Sequence, residues 1–90
     1  MYSVYIIYSS TADRYYIGQT ENLKHRLQAH NSGGVTSTKA YAPWELKYNE
    51  SYNSRSEAMG REREIKARKS RRYLEELISQ AQLAESRKRD

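Results

Sequence analysis

The sequence predicts a small α/β (α+β) domain. Residues 2–8 (YSVYIIY) and 15–19 (YYIGQ) are rich in β-branched and aromatic residues and are separated by a small polar turn at 9–14. Residues 44–52 (WELKYNESY) alternate apolar and polar, the pattern of a half-buried strand. Capped helical segments lie between and after these runs.

Taken in order, the turn at 9–14 is too short for a crossover, so the first two strands form an antiparallel hairpin. Tyr5 shares a strand face with Ser3 and Ile7, and Tyr16 shares one with Gly18. A helix follows, capped at Thr20 or Asn22 and running to about Ala29. Leu23, Leu27 and His30 cluster on one side of it, and Arg26 borders them. Asn31 to Gly34 ends it, with two glycines suited to a left-handed turn. Residues 35–43 read as a polar loop. In the third strand Trp44, Leu46, Tyr48 and Tyr52 are expected on one face. Ser54-Arg55-Ser56-Glu57 is a capping box that opens a helix to about Arg68. Ser70 is placed to cap a last helix with the stripe Tyr73, Leu74, Leu77 and Ile78. Residues 1–83 are expected to form the domain and 84–90 a charged, disordered tail.

Ninety residues allow one modest core. With nine Tyr, one Trp and no Phe, tyrosine must supply the aromatic bulk, and each buried phenol needs a partner. The chain has no Cys, so disulfides and thiolate metal sites are excluded. No apolar run reaches the length of a membrane span, and residues 1–10 lack a signal-peptide pattern. A cytoplasmic setting is the simplest expectation, with no membrane partner. The net charge of +5 is concentrated in residues 61–72, where seven Lys/Arg accompany two Glu. Such a stretch fits a polyanion partner or, equally, a solvated helix with paired charges.

Five polar side chains occupy places where packing alone favours apolar residues. Tyr5 and Tyr16 sit in neighbouring strands, Arg26 and His30 lie one turn apart, and Glu62 falls on the apolar arc of its helix between Ala58 and Ile65. Glu62 reads either as the partner of Lys66, Arg55 or Arg26, or as a ligand of a divalent ion. Mg²⁺ suits a lone carboxylate, because it fills its shell with water and substrate oxygens. Arg26 reads as a rim cation or as a clamp on a phosphate. His30 reads as a satisfied polar group or as an accessory in catalysis. A phenol with a pKa near ~10 is a poor base unless cations favour phenolate.

These residues, in order, resemble the GIY-YIG nuclease superfamily. Tyr16-Ile17-Gly18 is present verbatim, and Ser3-Val4-Tyr5 stands where Gly-Ile-Tyr would. Gly18-Gln19-Thr20, Asn22-Leu23, Arg26-Leu27, His30-Asn31, Ser56-Glu57-Ala58, Arg61-Glu62 and Ile65-Lys66 continue the likeness, which spans about residues 2–78 and is greatest to the small stand-alone branch. The resemblance implies a three-stranded antiparallel sheet flanked by helices, with the site on one sheet face. It implies Tyr5, Tyr16 and Arg26 as catalytic residues with His30 as an accessory, and Glu62 as ligand of one Mg²⁺ or Mn²⁺. Gly18 would give the substrate clearance, and Asn31, Lys39, Lys66, Arg68 and Lys69 would contact it, with Lys47 adding backbone phosphate binding. The implied activity is metal-dependent hydrolysis of DNA in repair or recombination. Selection is expected by branches, nicks or flaps, or through a targeting protein, with no nucleotide cofactor. A silent nucleic-acid-binding module and a repair-complex adaptor are the rival readings.

Overall fold

The computed structural model describes the backbone of residues 1–88 and the side chains of residues 1–83, so the expected tail at 84–90 lies largely outside it. The elements are β1 (Tyr2–Ser9), β2 (Arg14–Thr20), α1 (Leu23–Ser32), a 3-10 turn (Lys39–Tyr41), β3 (Glu45–Tyr52), α2 (Arg55–Arg68) and α3 (Arg71–Lys88). The three strands form one antiparallel sheet in the order β2-β1-β3. The central strand is the apolar one. Val4 and Ile6 face one side and Tyr5 and Ile7 the other, and all four are buried.

Each sheet face has its own cover. Val4 and Ile6 pack with Ala58 and Ile65 of α2 and with Leu74 and Ile78 of α3. Tyr5 and Ile7 pack with Trp44, Leu46, Tyr16, and Leu23 and Leu27 of α1. Burying an aliphatic side chain of this kind contributes about 1.5–3 kcal/mol. No helix among the described residues is long and apolar enough to cross a membrane.

The third strand departs from the expected single apolar face. Ile6 pairs with Tyr48 while Ile7 pairs with Leu46, so Lys47 is an extra, unpaired residue. This bulge reverses the alternation. Trp44 and Leu46 therefore face α1, whereas Tyr48 and Tyr52 face α2 and α3. Helix α1 runs three residues beyond the expected end, closing at Gly33 with φ of 85°. Its N-cap is Asn22, which accepts from the His25 amide. Ser54 caps α2 by accepting from the Glu57 amide, and Ser70 accepts from the Tyr73 amide at the start of α3.

Beneath α2 lies an ion pair between Glu50 and Arg61. Glu50 shares its parity with the inward Tyr48 and Tyr52, an odd place for an acid. Arg61 grips it with two bonds of 2.9 and 3.0 Å, and both phenols donate to it. Burial alone would raise the carboxyl pKa, but these four bonds outweigh it and hold Glu50 below the ordinary range. Burial and then the carboxylate push both phenols up to about 12. The pair fixes α2 against β3, and Glu62 follows Arg61 directly in the chain.

Candidate active site

Tyr5 stands at the centre of β1, opposite Gly18 of β2. Its ring lies over the backbone of Gly18. A Cβ built on Gly18 would come within 2.5 Å of the Tyr5 hydroxyl and 2.7 Å of Cζ. Gly18 has no left-handed φ, so its missing side chain serves space alone. That space is filled by the Tyr5 phenol.

Helix α1 brings His30 onto this ring. Both residues are fully buried, and the Tyr5 hydroxyl is 2.9 Å from His30 Nε2. Nδ1 of His30 is 2.8 Å from Oγ1 of Thr38, which in turn donates to the Val35 carbonyl. With the Thr38 proton so directed, its oxygen accepts Nδ1–H. Nε2 is then left as the acceptor of the Tyr5 proton. The resulting line is Tyr5 O–H to His30 to Thr38 to the backbone. Tyr16 completes a ring cluster, with its centroid 5.0 Å from His30 and 6.4 Å from Tyr5.

Arg26, one turn before His30, directs its guanidinium toward the two phenols. Its Nε is buried with no protein partner. The Tyr5 hydroxyl is the main influence holding its proton, with Tyr16 adding to it. Burial pushes the Tyr5 phenol above its ordinary pKa and outweighs the opposing pull of Arg26; Tyr16 and Glu62 push the same way as burial. Burial, and next the Arg26 charge, push His30 below the ordinary imidazole value. At neutral pH the site therefore holds a neutral phenol, a neutral imidazole and a cation.

Glu62 reaches this region from α2, on the other side of the sheet. It lines an open groove with Gln19, Met59, Arg63 and Lys66. Its charge is felt at the Tyr5 phenol, yet it makes no hydrogen bond to either tyrosine among the described residues. Oε2 accepts a 2.6 Å bond from Lys66, so the ion pair expected as one of two readings is formed. The pair is not sealed: the Lys66 side chain is 50% exposed and that of Glu62 is 21% exposed. Met59, beside it in this groove, is 41% exposed.

The remaining predicted contacts are scattered. Both polar atoms of the Asn31 amide hold the backbone of Trp44, with Nδ2 3.0 Å from its carbonyl oxygen. Asn31 thus anchors the start of β3. Lys39 sits exposed on the 3-10 turn, and Arg68 stacks over the Tyr73 ring at 4.6 Å. Lys69 closes α2 with φ of 47°. Of the basic stretch, Arg61, Lys66, Arg71 and Arg72 are in ion pairs. The paired-charge reading accounts for these four.

Thr38 went unsingled in the sequence. It lies in a polar loop with no periodicity to mark it, although it is buried and supports both His30 and the Trp44 indole. Gln19 was legible only as part of the Gly18-Gln19-Thr20 likeness. No group of three or more His, Cys, Asp or Glu gathers for a metal among the described residues. A lone, partly exposed carboxylate with a second oxygen not engaged among those residues fits an ion that keeps most of its water, as Mg²⁺ does, and not zinc.

A sheet carrying two phenols beside a helical arginine, with a carboxylate entering from a later helix, is the architecture of a nuclease-type catalytic domain. The GIY-YIG catalytic domain model matches residues 1–74, and the chain belongs to this family. A UPF0213 protein of Halobacterium salinarum is 42% identical over 67 residues, covering 73% of this chain and 86% of that protein. A UPF0213 protein of Streptococcus pneumoniae is 44% identical over 69 residues, covering 76% and 69% respectively. The solution NMR structure of a UPF0213 protein from Bacillus halodurans aligns with a TM-score of 0.53 at 34% identity, covering 88% of this chain and 84% of that one.

Proposed function

We propose that this protein is a divalent-metal-dependent endonuclease that hydrolyses DNA phosphodiester bonds at branches, nicks or flaps, in repair or recombination. The observation that carries the reading is the Tyr5–His30–Thr38 hydrogen-bond line with Arg26 against its phenol end. Tyr5 is the proposed base. As water attacks phosphorus, its proton passes to the Tyr5 oxygen while the Tyr5 proton moves to Nε2 of His30. The bond to the leaving oxygen breaks, and that oxygen is protonated from solvent. Arg26 holds a non-bridging oxygen, where charge grows in the transition state. Glu62 would hold a divalent ion, which would supply Lewis-acid charge stabilisation when bound. Lys66, now paired with Glu62, would then be free to contact a phosphate. Basic groups such as Lys39, Lys47, Arg68 and Lys69 bind backbone without reading sequence, so selection rests on DNA shape or on a targeting protein.

The test is cleavage of a nicked or branched duplex by the purified protein with Mg²⁺ or Mn²⁺ and with EDTA. Metal-dependent cleavage is expected, with an acid limb. His30 must be neutral to accept the Tyr5 proton, and its pKa is lowered, so activity persists through about pH 6.5 and falls only below it. The raised Tyr5 pKa keeps the phenol protonated through neutral pH, so no loss is expected there. Duplex binding with no cleavage under either metal would replace this reading with the silent binding module.

A further inference from the structure

The groove beside Glu62 continues along α2 toward its first turn. Gln19 lines the stretch that holds Glu62 and Lys66, and it also lines a second stretch with Tyr2, Thr20, Glu21, Arg26 and Arg55. The two stretches therefore meet at Gln19, at the end of β2. Along α2, Arg55, Met59, Glu62 and Lys66 follow one another at spacings of four, three and four residues, which places them on a single helical stripe. That stripe forms one wall of the whole groove.

Two guanidiniums thus flank the far stretch. Arg26 comes from α1 and Arg55 from the first turn of α2. Arg55 makes no ion pair or hydrogen bond among the described residues, unlike Arg61, Lys66, Arg71 and Arg72 on the same pair of helices. Arg26 leaves a buried Nε without a protein partner. Glu21 is exposed at the rim and opposes the positive field. From Arg55 to Glu62 the helix advances by about 10 Å, which is more than one phosphate group can span.

We infer that the Arg26–Arg55 end of the groove is a second phosphate subsite, which takes a backbone phosphate a few nucleotides from the scissile one. Arg55 is its dedicated anchor, and Arg26 is shared between this phosphate and the reaction centre. The subsite defines the substrate class as a polynucleotide strand rather than a mononucleotide ester, because a single phosphate cannot span both ends. The inference rests on the nuclease reading for its substrate, but its readout is binding without metal, which is independent of turnover.

Binding of a fluorescein-labelled nicked duplex is measured by anisotropy in EDTA, from about 50 to about 200 mM salt. Arg55→Gln should weaken binding about five- to tenfold and lower the log–log salt slope by about 0.9, the loss of one phosphate contact. Arg72→Gln, on α3 and away from the groove, should change the slope much less, and Glu21→Gln should tighten binding. An unchanged slope in Arg55→Gln overturns the subsite and leaves the nuclease reading standing if the wild type cleaves. Equal losses in Arg55→Gln and Arg72→Gln overturn it too, since they report a diffuse basic field. Wild-type binding without cleavage under Mn²⁺ removes the nuclease reading but supports the subsite if Arg55→Gln still lowers the slope. Absence of wild-type binding at low salt overturns both.

Discussion

Glu62→Gln and Arg26→Gln are expected to slow single-turnover cleavage of a nicked duplex by about 100- to 10,000-fold each with Mn²⁺ present. Neither should unfold the protein. Glu62 is lost from a solvent-facing i,i+4 pair with Lys66, a class of interaction worth about 0.3–0.5 kcal/mol. The Arg26 guanidinium makes no hydrogen bond of standard geometry among the described residues, although the Tyr5 and Tyr16 phenols lie beside it. The Tm of both variants should therefore stay within a few degrees of wild type, which separates lost chemistry from lost fold. The two defects differ in kind. Glu62→Gln should weaken Mn²⁺ binding, whereas Arg26→Gln should leave Mn²⁺ affinity nearly unchanged and lose affinity for the phosphate backbone. Cleavage by Glu62→Gln within threefold of wild type would show that the carboxylate is only the structural partner of Lys66.

Gly18→Ala should damage both stability and activity, through one contact. The new methyl would lie 2.5 Å from the Tyr5 hydroxyl and 2.7 Å from Cζ, closer than packed atoms come. Tyr5 cannot swing out, because it is fully buried between Ile7, Trp44, Tyr16 and α1. Either the ring tilts off His30 or β2 moves away from β1. Overpacking of this kind costs about 1–3 kcal/mol, and each kcal/mol lowers Tm by about 4–8 °C in a domain of this size. The expected drop in Tm is thus roughly 5–20 °C. Adding Tyr5→Phe removes the oxygen of the closest contact, so the double variant should recover part of the stability and none of the activity. A Gly18→Ala protein with wild-type Tm would mean that the phenol is free to move, and the Tyr5–His30 line would then be no fixed device.

Much of this arrangement was legible in the sequence. The order of tyrosine, Tyr-Ile-Gly, helical arginine and late glutamate points to the family. The strands and helices lie near their expected places, because local patterns and caps such as Ser54 and Asn22 decide them. What was not legible depends on long-range contacts. Nothing in VTSTKAYAP shows that Thr38 would be buried under His30 and beside the Trp44 indole. The bulge at Lys47 has no sequence mark, yet it divides the apolar residues of β3 between two cores. Gly18 was recognised, but the object filling its space was not, since that follows from the register of Tyr5 against it. Asn31 sits beside His30 in the chain, yet a distant backbone takes up its amide.

In the proposed mechanism Glu62 acts with the two phenols on one substrate, although the carboxylate arrives from the opposite side of the sheet. Paramagnetic broadening of amide signals in the ¹⁵N-labelled protein on titration with Mn²⁺ tests it most directly. Broadening is predicted to centre on Gln19, Arg26, Met59 and Glu62, and to vanish from these positions in Glu62→Gln. Broadening centred on other acids such as Glu45 or Glu75, or left unchanged by Glu62→Gln, would contradict it.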